Sequence, residues 1–266
     1  MRPRQRDNRI KLAAGSDGIE RLEAHLYGQA FSPHRHDTYA IGITLSGVQS
    51  FRFRGAQWHC LPGQVHILHP DELHDGGAGT EAGFRYRIAY IDPALVQKAL
   101  GGQPLPFVAN PVIDLAQLAD SSGLWDFDAA LDDLAQTELV ATLADALTAA
   151  TSSRPTPFRP LALEAVKHVR DVIAARPTVS YTMAELERVA GLDRWTLARQ
   201  FRAAFGTSPS RFRIQRQLDI ARRLLKAGKP AAAAAHEAGF ADQSHMSRQF
   251  RRAYGLTPAQ WASALV

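Results

Sequence analysis

The sequence predicts an α+β chain of two domains, an N-terminal antiparallel β-barrel followed by helices and a C-terminal all-α domain with two helix-turn-helix units. Three observations carry this. From Tyr39 to Ile91, apolar and polar residues alternate in short stretches broken by Gly and Pro, the period of half-buried strands. After Pro160 the apolar residues recur at helical spacing. Within that second region a segment is repeated: Arg199-Gln200-Phe201, Gly206, Pro209 and Phe212 fall on Arg248-Gln249-Phe250, Gly255, Pro258 and Trp261 at a constant offset of 49.

The first eleven residues hold Arg2, Arg4, Arg6, Arg9 and Lys11 against Asp7, with little apolar content, and read as a flexible basic arm. Residues 12–151 read as a sensor domain. Its strands are Tyr39 to Leu45, Gln49 to Phe53, Gln64 to Leu68 and Phe84 to Ile91. Along them Arg52, Arg54 and Arg87 alternate with Phe51, Phe53, Tyr86 and Ile88. The ordinary arrangement turns the Phe side chains inward; a basic face turned inward would select an acidic ligand. Cys60, in the strand-like Trp58-His59-Cys60-Leu61, is the lone cysteine, so no disulfide framework forms within one chain and it reads as a small buried hydrophobe. Pro93 to Leu100 and Asp128 to Ala150 read as helices. Leu139, Leu143 and Leu147 make an i, i+4 stripe on the second, as intramolecular core or as a dimer seam. Residues 152–160, with Pro155, Pro157 and Pro160, form a stiffened linker to a domain at 161–266.

In that domain Thr182 and Glu185 have capping-box spacing at the start of a helix over Met183–Ala190, and Gly191 marks the turn. Leu197, Phe201 and Phe205, like Met246, Phe250 and Tyr254 in the second copy, form a stripe to be buried. Pro209 to Ala227 has no internal Gly or Pro and reads as one helix of about 28 Å, near the 34 Å between successive major grooves on one face of B-DNA. Pro230 to Ala235 opens the second unit.

Charge divides along the same boundary. Residues 161–266 carry 17 Lys and Arg against 8 Asp and Glu, a net +9, whereas residues 1–160 carry −4, for +5 in all. A basic, all-helical domain with two helix-turn-helix units points to duplex DNA rather than single-stranded RNA, whose readers expose aromatics on a sheet. In the first unit Arg194, Trp195 and Arg199 lie off the buried stripe, Arg199 suited to bidentate contact with guanine and Trp195 to thymine methyls, with Trp195 as a cap on the core the alternative. In the second, Gln243, Ser244, Ser247 and Arg248 form the corresponding face, with Gln suited to adenine and Arg to guanine, and His245 is placed to serve a phosphate or a base. No signal-like start, apolar run of membrane length or lipidation motif is present, so a cytoplasmic protein without a membrane partner is expected.

The turn Gly239-Phe240, the Phe250 stripe and the ending Tyr254-Gly255-Leu256-Thr257-Pro258-Ala259-Gln260-Trp261 resemble the AraC (AraC/XylS) family of transcription regulators, over about 100 residues from Pro160. The order His34-Arg35-His36, Leu61-Pro62-Gly63-Gln64-Val65-His66, His69-Pro70-Asp71-Glu72-Leu73-His74 resembles a cupin, the sensor barrel common in such regulators. The resemblance implies that Arg202, Arg251 and Arg252 face the DNA backbone, that the barrel holds one small-molecule effector, and that the protein is a homodimer with RNA polymerase as a further partner. Effector candidates are His34, His36, Arg52, Arg54, Glu72, His74 and Arg87. The glutamate expected after His-x-His is missing, since residues 39–41 are Tyr, Ala and Ile, and neither a metal nor another cofactor is expected. The reading is a ligand-controlled, non-enzymatic DNA-binding regulator. A metal-dependent cupin enzyme fused to a DNA-binding domain, and an architectural DNA protein without a ligand, are the alternatives.

Overall fold

The computed structural model describes residues 8–118, 122–151 and 161–265. Residues 1–7 of the basic arm and the linker 152–160 therefore lie outside the described residues.

Ten strands form two antiparallel sheets. One, ordered β1-β2-β9-β4-β7-β10, comprises β1 (Arg9–Leu12), β2 (Ile19–Leu26), β9 (Phe84–Ile91), β4 (Tyr39–Gly47), β7 (Gln64–Leu68) and β10 (Val112–Asp114). The other, ordered β3-β8-β5-β6, comprises β3 (Phe31–His34), β8 (His74–Ala78), β5 (Gln49–Phe53) and β6 (Ala56–Cys60). The two sheets are separate hydrogen-bonded sets, so the expected barrel is an open sandwich. Arg9, Ile10 and Lys11, assigned to the arm, instead pair with His25, Ala24 and Glu23 of β2, because Ile10 supplies one apolar side chain to the sandwich.

The alternation in β4 explains the layering. Tyr39, Ile41 and Ile43 face away from the second sheet and pack with Val65, Ile67, Ala89 and Ile91 against helices α1 (Pro93–Ala99) and α3 (Asp133–Ala149). Ala40 faces the other way, with Phe51, Phe53, Cys60, Leu68, Phe84 and Tyr86, into the space between the sheets. Leu139, Leu143 and Leu147 of α3 lie in the first of these cores, which corrects the dimer-seam reading: the stripe is intramolecular, because β4, β7 and β9 offer it an apolar face. Leu134, by contrast, is 68 % exposed.

Helix α3 begins at Asp133, not Asp128. The chain before it follows the short helix α2 (Ser122–Trp125) and is held open by Arg21, whose fully buried guanidinium donates to the carbonyls of Ala14, Gly123, Asp126 and Ala129. Five bonds from one cation engage these four carbonyls and keep those of Asp126 and Ala129 out of α3.

The second half contains α4 (Leu163–Ala175), α5 (Met183–Ala190), α6 (Arg194–Phe205), α7 (Pro209–Lys226), α8 (Ala231–Glu237), α9 (Gln243–Tyr254) and α10 (Pro258–Ala264). The repeat is written in its caps. Asp193 and Asp242 cap α6 and α9, Gly206 and Gly255 end them at φ 72° and 69°, and Ser208 and Thr257 cap the helices that follow, each with Pro at the start. The Thr182–Glu185 capping box forms as expected, and Pro230 stands as the cap of α8 rather than inside it. The connector α7 belongs to both units: Phe212 packs with Leu197, Phe201 and Phe205, while Leu218 and Ala221 pack with Met246, Phe250 and Trp261.

Candidate DNA interface and effector cavity

Burial of one face of each second helix leaves the other free. On α6, Trp195 is 76 % exposed, which rules out the core-cap alternative, and Arg199 follows it one turn later. Arg194, the first residue of the helix, is tied by its main-chain N–H and guanidinium to Glu187 of α5, which fixes the angle between the two helices of the unit. On α9, Gln243, Ser244 and Arg248 are exposed and Ser247 half-buried, whereas the His245 ring stands edge-on against Phe240 at 5.5 Å and is turned partly toward the core. The structure thus gathers the two predicted reading faces on exposed helix surfaces of repeated units. Arg202, Arg251 and Arg252 lie at the far ends of these helices, next to the sensor.

The charge division of the sequence reappears as an interface. Asp92 pairs with Arg170 at 2.6 Å, Asp37 with Arg216 at 2.9 Å, Glu20 with Arg222 at 2.6 Å, and Asp71 with Arg211 and Arg202. In each the sensor half supplies the carboxylate and the DNA-binding half the guanidinium.

A cavity of about 450 Å³ lies between the sandwich and α7. Its lining includes the apolar Ile10, Leu12, Leu22, Leu256 and Trp261, the cations Arg216, Arg222 and Lys226, and the carboxylates Glu20, Asp37, Asp92 and Asp219. His34 and His36 form part of its wall. Their rings and that of His74 cluster, with centroids 4.2 to 6.2 Å apart. Each imidazole Nδ1 lies 2.8–2.9 Å from a main-chain carbonyl, of Ser32, Thr38 and Glu72 respectively, so each is held in the tautomer that donates there. Burial, reinforced by the neighbouring imidazoles, drives all three toward the neutral form, His36 to about 3. Among the described residues no group of three His, Cys, Asp or Glu is arranged to hold a metal ion. Deeper between the sheets His66 is buried beside Phe51 and Tyr86 with both ring nitrogens unpartnered.

Of the proposed effector residues, His34, His36 and His74 come together and the others do not. Arg52 is exposed, Arg54 pairs with Glu72 at 2.9 Å and covers Phe107, and Arg87 pairs with Glu23 on the outer face of its sheet. Strand alternation decides this: Phe51, Phe53 and Tyr86 take the interior, so their neighbours cannot. The contribution of Arg216, Arg222, Lys226 and Trp261 to the cavity was not legible, because nothing local in a helix sequence records which sheet will dock on it.

Comparison with known proteins agrees with this architecture. The sequence profile of the AraC-like ligand binding domain matches residues 18–154, more than half of the chain, and a helix-turn-helix domain profile matches residues 186–264. An uncharacterized HTH-type transcriptional regulator of Bacillus subtilis is 26 % identical over 232 residues, 82 % of each chain. A putative AraC-like transcription regulator of Streptomyces antibioticus is 35 % identical over 86 residues, 32 % of this chain and 28 % of its own. Among solved structures, ToxT of Vibrio cholerae O395 superposes with a TM-score of 0.64 at 10 % identity, over 94 % of this chain and 99 % of its own, and an unsaturated fatty acid-bound ToxT of strain SCE256 with 0.65 at 13 % identity, over 100 % and 98 %. At such identities these structures bear on fold alone, and they share the two-domain order seen here. With a ligand-binding sandwich in its first half and paired helix-turn-helix units in its second, the chain belongs to the AraC-type transcription regulators.

Proposed function

We propose that the effector of this regulator is an amphipathic carboxylic acid bound in the cavity between the sandwich and α7. The single observation that carries this reading is the composition of that cavity, whose lining joins apolar side chains to Arg216, Arg222 and Lys226, the last of which has no carboxylate paired with it among the ion pairs that join the two halves. An acid head would compete with Glu20 for Arg222 and so loosen one of the ion pairs that join the two halves. A ligand shifts a protein only by binding two of its states unequally, and a cavity walled by both halves meets that requirement. That a fatty acid occupies a structure of ToxT lends the chemistry weight.

DNA is read, in this proposal, by Trp195 and Arg199 on α6 and by Gln243, Ser244, Ser247 and Arg248 on α9. The protein acts without catalysis, in the cytoplasm, as a homodimer that meets RNA polymerase at its promoter. No helix among the described residues is long and apolar enough to cross a membrane. The dimer surface lies away from the buried stripe of α3.

A thermal-shift titration with a cis-unsaturated C16 to C18 acid and its methyl ester tests the effector reading. The acid should raise Tm, the ester far less, and Arg222→Ala should remove the difference. No shift with either compound, or an equal shift with both, would sink it.

A further inference from the structure

The sensor grips the two helix-turn-helix units at equivalent places. Arg202 and Arg251 occupy the same position of the 49-residue repeat, each seven residues beyond the start of its reading face, at Trp195 and Ser244. Residues i, i+4 and i+7 share one side of a helix, so each arginine continues the stripe of Arg199 or Arg248. Both are held by the sensor: Arg202 lies 3.6 Å from the Asp71 carboxylate, and Arg251 donates to the Ser32 hydroxyl at 3.1 Å. The glycines that end the two helices are pressed against the same half. A Cβ at Gly206 would stand 2.5 Å from the Pro70 ring, and one at Gly255 2.8 Å from the Ser32 carbonyl.

Asp71 is the strong point of this grip. It is one of two non-glycine residues at positive φ among those described, 63°, and its side chain is only 5 % exposed although its partners Arg202 and Arg211 are 60 % and 48 % exposed. The backbone conformation is paid for by placement: it delivers one buried carboxylate to two solvent-facing guanidiniums, at the spot where a helix on DNA presents cations to phosphate. The N–H of Asp71 donates to the carbonyl of His36, a wall residue of the effector cavity.

We infer that Asp71 is an internal stand-in for a DNA phosphate, and that the described conformation withholds Arg202 and Arg211 from the DNA backbone until the sensor releases them. The inference rests on the reading of Arg202 as a backbone contact. Release through His36 would tie it to effector binding.

The test uses the full-length chain and a random-sequence duplex of about 20 base pairs, because phosphate contacts are independent of sequence. Asp71→Asn, which keeps a residue that tolerates left-handed backbone, should tighten binding about 3- to 10-fold at low salt and steepen log K against log salt by about one to two units. Asp71→Gly should do the same if the asparagine variant folds poorly. In an Arg202→Ala/Arg211→Ala background the Asp71 substitution should have no effect. Unchanged or weaker binding by both Asp71 variants overturns the inference. If the Arg202→Ala/Arg211→Ala pair leaves the tighter binding of Asp71→Asn undiminished, the backbone reading of these arginines fails first, and the inference with it.

Discussion

Asp37 and Arg216, 179 positions apart, share an ion pair of 2.9 Å that joins the sandwich to the middle of the connector helix. Burial pushes the Asp37 carboxyl up to about 7, although Arg216 pulls the other way; Arg216, despite its own burial, is kept firmly protonated by Asp37 and Asp219. A folded-state value above the unfolded one, near 3.8, means that the unfolded chain releases this proton first as pH rises. The contribution of Asp37 to stability therefore declines between about pH 4 and pH 7. Asp37→Asn should lose least, relative to wild type, at the top of that window, and melting curves at pH 5 and pH 8 that shift in parallel would exclude this.

The imidazoles act in the opposite direction. Burial holds His34, His36, His66, His69 and His74 neutral, with His36 at about 3 and His66 and His69 at about 4. Their stabilising effect is complete above the unfolded value near 6.5 and is lost as pH falls toward the folded values. Each costs up to about 1.4 kcal/mol per pH unit, so five outweigh the single aspartate. Tm should fall steeply from pH 6.5 to pH 5, and His66→Gln should flatten that slope. A wild-type Tm independent of pH over this range would contradict the burial of these rings.

For DNA recognition, Arg199→Ala should cost about 1–3 kcal/mol on a duplex selected as cognate and leave random duplexes nearly unaffected, whereas Arg251→Ala should weaken both and flatten the salt dependence. Fluorescence anisotropy on the two duplexes distinguishes base reading from backbone contact, and equal losses on both for Arg199→Ala would remove it from the readers.

In the sensor, Leu143→Arg should unfold the domain rather than dissociate a dimer, because it places an unpaired charge among Tyr39, Ile41 and Leu147. The milder Leu143→Ala should cost about 2–5 kcal/mol. Arg21→Met, which strips four carbonyls of five donor bonds, should be comparably damaging. A variant at Leu143 that melts normally but sediments as a monomer would restore the seam.

Much of this was legible in the chain itself. The offset of 49 gave both helix-turn-helix units, since caps, turn glycines and buried stripes are local chemistry that a short sequence can state. Strand period two located β4, β5, β7 and β9 but left open which face of the Arg52/Phe53 pattern turned inward. Strands β1, β2, β3, β8 and β10 were missed: β1, β3 and β10 are three or four residues long and hold too little alternation to register, β8 carries Gly76 and Gly77 at its centre, and β2 was overlooked despite its eight residues. The start of α3 was misplaced because Arg21, more than a hundred residues earlier, claims the carbonyls that would have extended it. Leu139, Leu143 and Leu147 illustrate the general difficulty: a stripe declares that it will be buried, not against what.

The strand edges give the two halves unequal independence. At β3 the amides of Ser32 and Arg35 donate to the carbonyls of Gly255 and Arg252, and at β1 Ile10 bridges in parallel to Leu265, so the end of the DNA-binding half seals an open margin of each sheet. Ala264 also plugs the sandwich interior. A fragment of residues 161–266 would keep its own two cores, but a fragment of residues 8–151 would present bare hydrogen-bonding edges and an unstoppered apolar gap to any neighbour. Expressed alone, the sensor should be the sticky partner, prone to strand-to-strand association and inclusion bodies, and fusing residues 251–265 back to it should restore its solubility.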